Sequence, residues 1–257
     1  MSKAPRKGRP FKSGAASLFN PINYRAPKVD EIKRFRARYR APAKLVIEAR
    51  KLLGREPVGL SRAEASRAIG KGVRSWEKLE GRQAKNRGMS FCDVVMFCVV
   101  ALGMDPELFR GGMPKNITAI GYAGYEKRAM RRTPMTKADR AFLRKVRDGK
   151  LQVWAKLRNG GNSPYDPLNF GPPSPDDMRA LRACVAPFGV SHSEASRVIG
   201  FGPRTWSKFE SKGSDWRPIG VSEFAAFCIL ALGVDPKRFA GGLPHCVKGV
   251  HYRGLKP

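Results

Sequence analysis

The sequence predicts an all-α protein built from two copies of one five-helix unit, joined by a basic helical linker and preceded by a disordered basic arm. Three observations predict it. Residues 57–114 recur as residues 187–244, so that PVGLSRAEASRAIGKGVRSWEKLE returns as PFGVSHSEASRVIGFGPRTWSKFE with no net insertion or deletion. Apolar residues in both copies fall at helical spacing. Capping residues and glycines punctuate those helical runs at matched places. Ser61 pairs with Ser191, Trp76 with Trp206 and Pro114 with Pro244, an offset of 191 − 61 = 130 residues throughout. A period this long, seen twice, marks a duplicated domain; solenoid repeats run roughly 20–50 residues and number three or more. The expected boundaries are an arm over 1–40, a first domain over 41–114, a connector over 115–174 and a second domain with a basic tail over 175–257.

The arm comes first. Residues 1–44 hold 13 Lys or Arg against two acids in a stretch with Gly, Pro and Ser and few helix signals, a composition that disfavours a packed core. Arg6, Lys7 and Arg9 are its candidates for phosphate or minor-groove contact, because arginine is drawn to the negative potential of a narrow minor groove. The run KRFRARYR (33–40) reads either as a basic helix or as an extended strand along a nucleic-acid backbone.

The first helix of each unit is read at 42–54, with Leu45, Ile47, Ala49, Leu52 and Leu53 on one face, and at 175–189, with Met178, Leu181, Cys184 and Val185. Helix two opens at Ser61 or Ser191 with the S-x-x-E capping box completed by Glu64 or Glu194. It buries Ala65, Ala68 and Ile69, or Ala195, Val198 and Ile199. The chain then turns through Gly70-Lys71-Gly72 or Gly200-Phe201-Gly202, a glycine break of the length that joins two helices at a steep angle. Helix three is expected to start at Val73 or at Pro203, where proline suits a first helical position. Trp76 and Leu79, like Trp206 and Phe209, point to the core. Arg74, Ser75 and Lys78, and their partners Arg204, Thr205 and Lys208, then face outward. Segments 90–102 and 222–232 form an apolar fourth helix, and Asp105-Pro106 or Asp235-Pro236 caps a short fifth.

A helix, a glycine turn and a second helix with basic residues at its start make a helix-turn-helix, whose second helix enters the DNA major groove. Arginine there bonds two acceptors on guanine, lysine meets guanine or phosphate, and serine or threonine serves either. Lys71, Arg74, Ser75, Lys78, Arg204, Thr205 and Lys208 are therefore the DNA-binding candidates. The five-helix pattern resembles the Cro and lambda-repressor-like superfamily. GPRTWSKFE (202–210) is similar to the helix-turn-helix half of MqsA-type antitoxins, and that resemblance assigns base reading to Arg204 and Lys208, hence to Arg74 and Lys78. It covers the two repeats alone: no CxxC pair stands where that family's zinc half would need one. The resemblance also suggests a bacterial mobile element as context.

Between the copies, residues 115–160 hold 13 basic and three acidic residues. Residues 136–157 read as one amphipathic helix, capped by T-x-x-D and broken near Gly149, with Arg140, Arg144, Lys145 and Arg147 facing solvent and Trp154 anchoring it. The segment NGGNSPYDPLNFGPPSPDD that follows reads as a Gly/Pro-rich linker.

Bulk composition narrows the function. Fifty Lys or Arg against 21 acids give a formal charge of +29, a self-repulsion tolerated where a polyanion is the partner. No spanning or signal-peptide pattern is read, which implies a cytoplasmic or nucleoid protein. Five cysteines with no zinc-compatible spacing read as reduced structural thiols, and three dispersed histidines support neither a metal site nor a catalytic triad. Glu80 and Glu210 are expected to make structural contacts with the turn or helix one. The expected function is a sequence-specific double-stranded DNA-binding transcriptional regulator, a covalent pseudo-dimer on a bipartite site, with no cofactor and no catalytic role. The alternative is a structural nucleic-acid protein, of nucleoid or ribonucleoprotein type, that coats DNA or RNA without sequence preference. The apolar fourth helices are candidates for self-association or for a protein partner.

Overall fold

The computed structural model describes residues 17–21, 24–40, 59–81, 88–110, 134–153, 162–185 and 189–246, with Ala43, Ile47, Arg50 and Lys51 besides. It is helical, with no strand among the described residues. The elements are α1 (Val29–Arg38), α2 (Arg62–Ala68), α3 (Ser75–Glu80), α4 (Phe91–Val95), a π-helical stretch Met96–Ala101 and a 3-10 turn Pro106–Arg110. After them come α5 (Lys137–Arg147), α6 (Pro175–Ala183), α7 (His192–Val198), α8 (Thr205–Phe209), α9 (Val221–Leu232) and the 3-10 turns Pro236–Gly242 and Pro244–Cys246.

Helix α2 starts where its capping box dictates. The Glu64 amide donates to Ser61 Oγ at 3.2 Å, and Glu64 Oε2 accepts from the Ser61 amide at 2.6 Å. In α7 the Glu194 amide donates to Ser191 Oγ at 3.3 Å, and Glu194 Oε2 accepts at 2.6 Å. Both helices stop by the same device. Gly70 and Gly200 take φ of 64° and 71°, a left-handed conformation that glycine adopts without steric cost. That lets the Lys71 and Phe201 amides reach back to the Ser66 and Ser196 carbonyls, each at 2.9 Å, which is a Schellman stop.

The following helices begin at Ser75 and Thr205, two residues later than Val73 and Pro203. The delay has a visible cause. Residues 72–75 and 202–205 first close a turn, with the Ser75 amide on the Gly72 carbonyl at 2.8 Å and the Thr205 amide on the Gly202 carbonyl at 3.0 Å.

The helix packed against α3 is α1. Ile32, Phe35 and Tyr39 are buried, and the KRFRARYR run is helical through Arg38, so it contributes to the core rather than lying extended. Of the 42–54 segment, only Ala43, Ile47, Arg50 and Lys51 are described, and Ile47 is 53% exposed. Ile32, Phe35 and Tyr39, at spacings of three and four, turn one apolar side of 29–39 to the interior.

Helix α1 corresponds to α6 at an offset different from the one the repeat shows. Arg36 donates to the Leu60 carbonyl at 2.7 Å and Arg182 to the Val190 carbonyl at 2.8 Å. The isolated bridges Ser17↔Tyr24 and Ser163↔Phe170 match in the same way. Thus SLFNPINY (17–24) corresponds to SPYDPLNF (163–170), an offset of 163 − 17 = 146, and the first copy carries 146 − 130 = 16 additional residues between α1 and α2. The expected linker 159–177 is therefore folded structure over its described part. Tyr165 packs on Phe239 with ring centroids 5.5 Å apart, as Phe19 packs on Phe109 at 5.1 Å.

Helix α5 starts at the Thr136/Asp139 capping box and ends at Arg147, with Gly149 behind it at φ 73°; residues 150–153 are not helical, so the helix stops there rather than breaking and running on toward 157. Its Val146 is buried, Arg147 Nη2 donates to the Leu232 carbonyl at 2.9 Å, and Cys184 Sγ donates to the Asp139 carbonyl. Trp154 lies outside the described residues. Helices α4 and α9 pack side by side, and the buried apolar residues of both copies form one continuous cluster. Cys92, Cys98, Cys184 and Cys228 are free and buried; burial pushes the Cys98 thiol up to about 12 and the Cys184 thiol up to about 11.

Candidate nucleic-acid interface

Residues 61–80 and 191–210 have the same degree of burial at every position except 71 and 201. A buried serine pins each pair of helices together. The Trp76 amide donates to Ser66 Oγ and the Trp206 amide to Ser196 Oγ, both at 2.8 Å, and Ser66 Oγ donates to the Val73 carbonyl at 3.1 Å. The angle between the two helices is thus set by a side chain in the first that satisfies first-turn backbone of the second.

The indoles below complete each unit. Trp76 and Trp206 are fully buried and pack at a tilt against Phe97 and Phe227, with ring centroids 4.6 Å and 4.2 Å apart. Their Nε1 atoms donate to Glu80 Oε1 at 3.0 Å and Glu210 Oε1 at 2.6 Å. Glu80 also accepts from Arg36 Nε and Arg62 Nε, each at 2.8 Å, and Glu210 from Arg182 Nε at 2.7 Å, with His192 Nε2 at 2.9 Å. Burial by itself raises both carboxyls, but the hydrogen bonds from Arg36 and Arg62 to Glu80, and from Arg182 and His192 to Glu210, outweigh it and hold both below the ordinary glutamate range. Two buried carboxylates 130 residues apart therefore tie the second helix of each pair to helix one, the structural contact expected of them.

With tryptophan, Leu79 or Phe209 and the glutamate turned inward, the outward face of α3 is Arg74, Glu77 and Lys78, and that of α8 is Arg204, Ser207 and Lys208, all exposed. Ser75 and Thr205 are half-buried at the starts of the two helices. Val73 is 48% exposed beside Arg74. Lys71 is engaged: its ammonium pairs with the buried carboxylate of Asp93, which also accepts from Ser222 Oγ at 2.8 Å. Its counterpart Phe201 lies under the Arg217 guanidinium, 5.9 Å from the ring centroid. Arg6, Lys7 and Arg9 lie outside the described residues.

Sequence reasoning missed several participants. Position 77/207 shares the exposed face because it is three residues from 74 and next to 78, a spacing legible in advance. Ser66 and Ser196 are repeated serines on a face that is otherwise alanine and isoleucine. Arg36 and Arg182 were hidden by the change of offset.

Comparison of the chain with family models, with curated proteins and with solved structures finds no match. No described helix is long and apolar enough to cross a membrane, and no group of three or more His, Cys, Asp and Glu among the described residues could hold a metal ion.

Proposed function

We propose that the chain is a sequence-specific double-stranded DNA-binding regulator with two helix-turn-helix heads of the Cro/lambda-repressor-like kind, covalently joined so that one molecule engages a bipartite site. The observation that carries this reading is the duplicated arrangement of α2–α3 and α7–α8. The same serine pin, buried indole, carboxylate anchor and glycine stop recur, and the same basic residues stand on the exposed face. Arg74, Lys78, Arg204 and Lys208 have the chemistry to reach guanine edges or phosphates, and Ser75 and Thr205 stand where helix N-termini approach the backbone. Avidity follows from the joining, since engagement by one head makes the second engagement intramolecular.

The net charge favours a second reading. At +29, counterion release alone would give substantial affinity for any nucleic acid, as expected of a coating protein of nucleoid or ribonucleoprotein type. Selection of random duplex DNA on the full chain separates the two. A specific reader enriches a two-part motif, with one part lost in Arg74→Ala/Lys78→Ala and the other in Arg204→Ala/Lys208→Ala. A coating protein enriches nothing, and its binding fades steadily with salt.

A further inference from the structure

Reciprocal contacts join the two copies. A methyl group placed on Gly70 would lie 2.1 Å from Val221 Cγ1, and one placed on Gly200 would lie 2.8 Å from Phe91 Cβ. Residue 70 corresponds to 200 and 91 to 221, so each turn meets the first residue of the other copy's fourth helix. A contact made in both directions between equivalent residues is the mark of an isologous, two-fold interface; a head-to-tail arrangement repeats its contact in one direction only. Nearby, Cys92 Sγ donates to the Ile199 carbonyl at 3.2 Å and Ser222 Oγ to Asp93 Oδ1 at 2.8 Å. The glycine turns that precede α3 and α8 are thus built into the interface itself.

Resting on the DNA-reading proposal above, we infer that the target is an inverted pair of half-sites at one fixed spacing, made unequal by Glu77 in one head where Ser207 stands in the other. Heads related by a two-fold sit at equal height along its axis and face the same way along it, so they meet a duplex in inverted orientation. Their separation is not adjustable, because spreading them would pull both turns out of the shared core. One inserted base pair shifts a half-site by about 3.4 Å along the duplex and rotates it by roughly 35°.

The asymmetry follows from the exposed faces. Arg74 and Lys78 have chemical twins in Arg204 and Lys208, whereas position 77 carries an exposed carboxylate. Ser207 instead turns its hydroxyl onto the Arg204 carbonyl of its own helix at 2.8 Å. Between two cations on a groove-facing surface, a carboxylate is repelled by phosphates and is satisfied by a base-edge donor. In the major groove it pairs with cytosine N4. The half-site under α3 therefore carries a cytosine preference that the half-site under α8 lacks.

Random duplex selection on the full chain, Glu77→Ser and Ser207→Glu, followed by a spacer series of plus and minus one to five base pairs, tests this. The expected motif is an imperfect inverted repeat in which changing the one cytosine weakens binding by roughly 5- to 150-fold, with binding lost on adding or removing a single base pair. Glu77→Ser removes that cytosine from the half-site under α3, and Ser207→Glu introduces it into the half-site under α8. Both variants change an exposed residue, and a thermal melt verifies that each remains folded. A direct repeat, equal binding at several spacings, or a cytosine preference that survives Glu77→Ser would overturn the inference while leaving specific reading intact. Failure to enrich any sequence would remove the DNA-reading proposal itself.

Discussion

Ser66 and Ser196 show how much can rest on one hydroxyl. Each is fully buried and accepts the backbone amide of the tryptophan ten residues on, so Ser66→Ala leaves a buried donor without its acceptor. The expected cost is about 1–3 kcal/mol, read as a lower denaturation midpoint, and Ser196→Ala should cost a similar amount. Glu80 and Glu210 make the same point through charge. Both carboxyls sit below their unfolded value of about 4.3, so the native state binds fewer protons than the unfolded chain in that range. Their stabilisation is complete above the unfolded value and is lost as pH falls through the folded one. Urea-unfolding free energies measured from pH 6 down to pH 3 should therefore fall. The Glu80→Gln variant should be less stable at pH 6 by about 3–5 kcal/mol, since Arg36 loses its partner, and that deficit should shrink on acidification.

At the scale of elements, the glycine stops of α2 and α7 perform two tasks. They end a helix, and they allow another element to approach within contact distance. Gly70→Ala meets both constraints at once, a positive φ and Val221 Cγ1 in the space of the new methyl. It should lower the melting temperature more than Gly103→Ala, which has a similar φ of 68° and nothing within 4 Å; comparison of the two separates backbone strain from collision. Helix α4 and its π-helical continuation differ from the regular α9, although the two segments derive from one repeat. Met96–Ala101 is buried for most of its length, and the Leu102 amide reaches the Phe97 carbonyl at 3.1 Å. The two stretches read MFCVVA (96–101) and AFCILA (226–231), so the first carries Met96 and two adjacent valines where the second carries Ala226, Ile229 and Leu230.

For the whole molecule, the decisive feature is that two copies share one buried cluster. Domains with separate cores unfold separately, whereas a common core couples them, so calorimetry should show one cooperative transition with equal van't Hoff and calorimetric enthalpies. Two resolved transitions would show the copies to be independent. The high positive charge has its own consequence at this scale: low salt should depress stability through self-repulsion, and a polyanion should restore it.

The capping boxes, the glycine turns and the inward tryptophans were legible in the sequence because each depends on neighbours within a few residues, where spacing alone determines geometry. The duplication was legible for the same reason over the stretch without insertions. Local patterns could not rank 42–54 against 29–38 as the helix that closes the first copy. Both are amphipathic, and the choice depends on which apolar face meets Trp76 and which arginine reaches Glu80, a contact across 44 residues. The folded cap at 163–170 was likewise hidden, since its Gly/Pro-rich composition resembles a linker until Tyr165 finds Phe239. The sequence by itself determined the helices, their stops and the repeated chemistry of the exposed faces. Tertiary structure alone decided that the copies meet through their turns about a two-fold, because burial of apolar surface between α4 and α9 is a non-local free energy that no single segment encodes.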